Sequence, residues 1–439
     1  MIPEFMEDKV KTITAALIAL FLFSLPADSE ELQFDEYFVS GSLRIDMYHS
    51  GAGETEFYSI DRIIREPYWG GNPHALIDTM NLGEYIYMVY DLETNRPIFS
   101  RGFCNLYGEW AVTDMAKVHP PAVFHESVRI PCPERPVQVK ISRRNRENVF
   151  ETVSDFVIDP EDFHIRTEKK YHYFRKRTLL KNGPPSEKVD ICILADGYRS
   201  DQIHKLREDA ARLVDVLFSV EPFKSRKDDF NVRLIESVSE ESGVDDPREE
   251  VYRDNILDLT FNSLELDRYM VDADNSMVHD IAARVPYDRI ILIANEDKYG
   301  GGGIFNFYSS CTVDNEHSDY VFVHEFGHSF AGLADEYYSS DVTYNDEMYP
   351  RGVEPWEPNI TALQDPAEIK WGDLIDEDTP VPTPDDSTWA GVTGCFEGAG
   401  YSAKGLYRSS RDCIMLSKSM HFCPACTRAI ERMIDFQTE

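Results

Sequence analysis

At 439 residues the chain is too long for one ordinary hydrophobic core, so two domains are expected. Hydrophobic residues at 42% and aromatics at 12% supply enough apolar surface to exclude a disordered chain. A formal charge of −35, from 79 acidic against 44 basic residues, favours solubility, repels phosphate backbones and argues against nucleic acid as a partner.

Residues 1–5, "MIPEF", read as an expression scar ahead of a natural start at Met6. Residues 6–27 read as a signal peptide: Lys9 and Lys11 precede the apolar run "TITAALIALFLFSLPADS", in which the small residue Ala27 marks the cleavage region. The run is short for a bilayer span. A retained signal anchor is the rival reading, because Glu7 and Asp8 offset the lysines. The expectation is a secreted, periplasmic or cell-surface protein with no stable membrane insertion after cleavage.

Residues 30–165 alternate apolar and polar side chains in short runs, such as "EYIYMVYDLETNRPIFSRGF", separated by turn residues. That period of two predicts an N-terminal all-β sandwich. The basic, polar stretch 166–188, punctuated by Gly183, Pro184 and Pro185, predicts a linker. Residues 189–439 change rhythm. "VDICILADGY" is a continuous apolar run of buried-strand length, and Ser200 is placed to cap a helix with Leu206, Ala210, Leu213 and Leu217 on one face. "FNVRLIESV", a helical region near 261–284, "DRIILIAN" and a strand in "GGGGIFNFYSS" follow, which predicts an α/β domain with a mainly parallel sheet.

Eight cysteines suit an oxidising compartment. Cys395, Cys413, Cys423 and Cys426, crowded near the C-terminus, are expected to pair as disulfides, Cys395 with Cys413 first. The rival reading, a structural zinc site built from Cys413, Cys423 and Cys426, lacks a second CxxC. Cys104, Cys132, Cys192 and Cys311 read as buried thiols.

The segment "VFVHEFGHSFAGLADEYY", residues 321–338, carries the chemistry. With Ser318 as N-cap and Val321, Phe326, Phe330 and Leu333 toward a core, residues 319–331 should be helical. Positions i and i+4 share a helix face, so the His324 and His328 imidazoles can converge on one Zn2+, with Glu325 beside them as general base. Gly332 can end the helix and turn the chain back. Asp335 or Glu336 would then supply the third ligand, Asp335 being preferred because it lies three residues past that glycine. Tyr308, Tyr337 and Tyr338 are candidate oxyanion donors that spacing does not separate. The "GGGGIF" run lacks the Lys and Ser/Thr of a phosphate loop, and glycines entering an edge strand would let an extended substrate pair there.

"HEFGHSFAGLADEYY", "LADGY" at 194–198, "YGGGGIFNFYSS" at 299–310 and "CIM" at 413–415 together resemble the M64 metallopeptidases, the IgA-peptidase family of bacteria. The resemblance covers the chain beyond the signal peptide and implies a metzincin-like zinc endopeptidase. It implies a protein or peptide substrate, an immunoglobulin or another host protein among them. By that likeness His324 and His328 are ligands, Glu325 is the base and Met415 lies under the metal. Metzincins place the turning glycine one residue earlier: Ala331 stands at that position here, and Gly332 and Asp335 are each displaced by one. Two other readings stand beside it. One is a binding or adhesion protein built on the sandwich, with a non-catalytic or structural zinc. The other is a zinc amidase acting on non-protein amides.

Overall fold

The computed structural model describes residues 32–52, 55–118, 121–167, 173–338 and 348–439. The expected scar and signal peptide lie outside these residues. Among the described residues no helix is long and apolar enough to cross a membrane.

The N-terminal half is a pair of antiparallel sheets. Strands β1 (Phe38–Ala52), β2 (Thr55–Glu66) and β5 (Ala122–Pro133) form one, in the order β2-β1-β5. Strands β3 (Tyr85–Asp91), β4 (Pro97–Phe103), β6 (Val137–Arg144) and β7 (Phe150–Ile158) form the other, in the order β4-β3-β6-β7. Strand β3 alternates buried and half-buried positions, and Tyr85, Tyr87 and Val89 meet Leu43, Ile45, Val128 and Ile130 of the opposite sheet in one core. This is the expected sandwich. Only the short helices α1 (Phe34–Tyr37), α2 (Leu106–Ala111) and α3 (Met115–Val118) interrupt it.

The second half is built on a six-stranded mixed sheet of order β12-β13-β11-β9-β10-β8. Its parallel centre is β10 (Phe230–Glu236), β9 (Val189–Asp196), β11 (Arg289–Ala294) and β13 (Ser309–Thr312). Every residue of β9 is buried because both faces are covered. Ile191 and Ile193 point into a core shared with helices α4 (Ile203–Leu217), α6 (Ser318–Ala331) and α7 (Pro424–Thr438). Cys192 and Leu194 point the other way, toward α5 (Asn275–Ala282). A small antiparallel sheet, β14 (Ile360–Thr361), β16 (Ser402–Arg408) and β15 (Phe396–Ala399), lies beyond the long helix.

Several expectations change. Within the segment expected to be linker, Arg175–Leu180 form β8, which pairs antiparallel with β10 at the sheet edge; its exposed basic side chains gave it the look of a linker. The glycine-rich run yields two strands, β12 (Gly301–Gly303) and β13, paired as a hairpin. Of the helical region near 261–284 only α5 is α-helical, since Asn262, Leu264 and Glu265 take positive φ. Ser200 begins a 3-10 turn, with Arg199 at its N-cap. Helix α6 starts on Ser318, with His317 at its N-cap. The expected disulfides are absent: all eight cysteines are free. Asn359, the first residue of an Asn-Ile-Thr sequon, is fully buried, with its amide bonded to Ala334 and Glu336.

The two halves are packed together. Arg44 pairs with Asp280 of α5, the Arg129 guanidinium donates to the Tyr287 carbonyl at 2.8 Å, and the Cys104 N–H donates to Phe305 O at 2.9 Å. His279 lies in this seam, hydrogen-bonded to the Tyr287 hydroxyl at 3.1 Å. Burial first, then the positive charge of Arg44, lowers its pKa from 6.5 to about 3. It is therefore neutral in the folded chain and gains a proton on unfolding below pH 6.5. Its contribution is present above pH 6.5 and is lost as pH falls toward 3, by about 1.4 kcal/mol per unit. His279→Gln is expected to flatten the acid side of the stability profile by that one-proton slope, as measured by urea unfolding between pH 4 and 7.

Candidate metal centre

Helix α6 carries the two imidazoles because its other faces are packed. Phe326 and Phe330 stack at 5.2 Å and meet Phe223, while Val321 and Phe322 are buried. The helix ends at Gly332, whose φ of +63° is a left-handed C-cap. The chain reverses there, and Leu333–Glu336 run back past the helix.

That reversal brings Asp335 to the histidines. Its Oδ1 lies 3.2 Å from His324 Nε2 and 3.4 Å from His328 Nε2, and the two Nε2 atoms are 3.1 Å apart. Three ligands of a tetrahedral ion at about 2.0–2.1 Å would stand about 3.3 Å from one another. Both ring orientations are fixed from behind. His324 Nδ1–H donates to Ile414 O at 2.9 Å, and His328 Nδ1–H donates to Leu333 O at 2.5 Å. Each ring therefore presents the bare lone pair of Nε2, as a metal-ligating histidine does. Two such lone pairs and a carboxylate oxygen facing one point repel unless a cation is shared among them. Burial alone would lower the His328 pKa, but Asp335 and then Glu325 raise it to about 9. Burial would raise Asp335, yet His328 and His324 hold it well below the usual carboxylate range.

Glu325 offers an oxygen within 4.8 Å of donor atoms on both imidazoles. Burial first, then the Asp335 charge, raises its pKa against the opposing imidazoles. Glu336 takes no part in this group. Its side chain turns away toward Cys423 and Cys426.

These residues form one wall of a cleft of about 290 Å³, whose lining includes Tyr299, Gly301, Gly303, Tyr320, Tyr337 and Tyr401. Glu109 of α2 also lines it and accepts a hydrogen bond from Tyr269, so the N-terminal half contributes to the cleft. Strand β12 presses on α6 where a side chain would not fit: a Cβ on Gly303 would lie 2.2 Å from Glu325 O, and one on Gly301 2.6 Å from Val321 Cγ1. At Gly301 the outer edge is already taken, its N–H donating to Arg268 O and its C=O accepting from Met270. Of the three tyrosines considered for an oxyanion, only Tyr337 lines the cleft; Tyr308 is buried and donates to Val271 O.

Of two further supports, sequence reasoning named Met415 through the resemblance and missed Tyr401. Tyr401, in the tight connection between β15 and β16, donates to Asp335 Oδ2, and its backbone N–H reaches Tyr337 O at 3.0 Å. Met415 is fully buried against Gly327, between the two histidines in sequence, and its carbonyl accepts from the Glu336 N–H at 2.8 Å.

Residues 178–390 and 385–434 match the family profile described as IgA Peptidase M64, and residues 33–154 match the Peptidase M64 N-terminus. The chain belongs to the M64 peptidase family. No curated protein matches it. Membership makes the chain a peptidase with a protein or peptide substrate, from a family of metallopeptidases, and the two matched regions fit the two-domain layout. The convergent imidazoles and carboxylate fit the metal that this M64 peptidase family implies.

Tyr401→Phe removes a donor that orients Asp335 and leaves the three convergent atoms in place. The expected outcome is a fall of about 10–100-fold in metal affinity, read by competition with a chromogenic chelator.

Proposed function

We propose that the chain is an exported zinc-dependent endopeptidase of metzincin-like architecture, in which His324, His328 and Asp335 hold Zn2+ and Glu325 is the general base. One observation carries this reading: three donor atoms from a helix and the segment returning from it stand 3.1–3.4 Å apart, with both outer nitrogens protonated toward carbonyls. Bound there, zinc supplies a water made acidic near neutral pH and a Lewis acid for the scissile carbonyl.

The chain's own residues do the rest. The Glu325 carboxylate, with a pKa raised by burial, takes the proton of the attacking water and returns it to the leaving amine. Tyr299, Tyr320 and Tyr337 line the cleft, where a phenol can donate to the oxygen that gains charge. Burial and then the Asp335 charge raise the Tyr337 pKa, which keeps that hydroxyl protonated as a donor. Gly303, whose missing side chain lets β12 lie against the Glu325 carbonyl of α6, lines the cleft beside the assigned base. The sandwich domain contributes Cys104 and Glu109 to the lining, a place from which it acts on substrate choice. Export rests on the apolar run of residues 12–27.

Glu325→Gln is expected to retain the cleft metal and to lose about 10²–10⁴-fold in kcat on a protein substrate such as casein. Asp335→Ala is expected to lose the cleft metal and activity together. Elemental analysis beside a chelator-controlled cleavage assay checks both. A Glu325→Gln enzyme that cleaves as fast as its parent removes the assigned base.

A further inference from the structure

Behind the cleft, on the far side of the Asp335–Glu336 peptide bond, three sulfurs and a carboxylate meet. Cys413 Sγ lies 3.8 Å from Cys426 Sγ, and Glu336 Oε1 lies 3.4 Å from Cys423 Sγ and 3.3 Å from Cys426 Sγ. All four side chains are buried, and one donor atom from each lies within 4.8 Å of the others. Sulfurs on a tetrahedral ion at about 2.3 Å stand about 3.8 Å apart, and a sulfur and an oxygen about 3.6 Å apart. The spacing is that of an ion's coordination shell.

The surroundings suit thiolates. Cys413 Sγ accepts from the N–H groups of Met415 at 3.4 Å and Cys423 at 3.3 Å. Cys423 Sγ accepts from the Cys426 N–H at 3.5 Å and the Ser409 hydroxyl at 3.1 Å. The sequence Cys-Pro-Ala-Cys opens α7, with Cys423 at its N-cap, so the positive end of a helix of 15 residues faces the sulfurs. The Glu336 Oε2 atom has no hydrogen-bond partner, and among the described residues no Lys, Arg or His pairs with this carboxylate. A buried carboxylate without a cation is a costly arrangement. One disulfide among the three cysteines would leave the third sulfur unpaired, Glu336 Oε2 without a hydrogen bond and the carboxylate without a cation.

We propose that Glu336, Cys413, Cys423 and Cys426 form a second, structural metal site that takes zinc in a closed four-ligand shell. Thiolate ligands select a soft or borderline ion, and a full complement of protein donors leaves no open position for chemistry. The site ties together three segments: the chain returning from α6, the turn around Met415 and the start of α7. Two of these support the cleft directly, since Glu336 follows Asp335 and Ile414 O holds His324 Nδ1. The assignment stands apart from the cleft metal, because it uses none of the same side chains.

The test uses the full chain carrying His324→Ala and His328→Ala, which removes the nitrogen donors of the cleft. Purified from zinc-containing medium, this variant is expected to keep one zinc per chain, against two in the parent. Loaded with Co2+ instead, it should show a thiolate-to-cobalt charge-transfer band, which nitrogen and oxygen ligands cannot give. X-ray absorption on the zinc-loaded parent should show sulfur at about 2.3 Å. Cys426→Ser should lose the cobalt band; because that variant can fail to fold, the absorption spectrum of the parent carries equal weight. A parent whose zinc has only nitrogen and oxygen neighbours overturns the proposal. So does a disulfide among Cys413, Cys423 and Cys426 found by mass spectrometry. Sulfur-bound zinc with an empty cleft would instead defeat the peptidase mechanism and leave this site standing.

Discussion

Two imidazole lone pairs and a carboxylate oxygen, forced to within 3.4 Å of one another in a buried place, are the constraint around which the catalytic half is organised. Such a triangle repels itself, and the fold withstands the repulsion because each member is locked from outside. Phe326 and Phe330 anchor the helix in the core. The Ile414 and Leu333 carbonyls hold the rings, and Tyr401 holds the carboxylate. A site whose supports are this rigid gains little from relaxing when empty, so a cation restores what the geometry has already spent.

Rigidity of this kind needs long-range ties. Asp335 is joined to the β15–β16 connection by Gly400 N–H and Tyr401, and the hairpin of β12 and β13 is joined to the sandwich by the Cys104 and Asn306 hydrogen bonds. The sandwich therefore braces the cleft and is more than an attached module. Arg44, paired with Asp280 of α5, and Arg129, paired with Glu66 and donating to Tyr287 O, fill the seam with paired charge, which fixes one arrangement of the halves at some cost in desolvation.

What the sequence made legible is what local spacing encodes. Histidines four apart on an amphipathic helix, a glycine able to turn left-handed and an acid three residues beyond it required no knowledge of the fold. The apolar run of β9 and the alternation of β3 likewise announced their burial. The supports were illegible because they come from far along the chain or from the backbone. Ile414 offers a carbonyl, which every residue has, and Tyr401 meets Asp335 across 66 positions. Strand β8 was hidden by its edge position, where exposed Arg and Lys side chains imitate a linker. The cysteines misled for a related reason: an argument from compartment and count sees only sulfurs, and the fourth member of their group, Glu336, lies 77 residues before Cys413.

The three glycines of β12 carry one more implication. None of them has room for a Cβ: Gly301 lies against Val321 of α6, Gly302 against Val271 and Gly303 against the Glu325 carbonyl. The hairpin is thereby a spacer of fixed thickness: a side chain at Gly301 or Gly303 would push it away from the helix that carries the histidines.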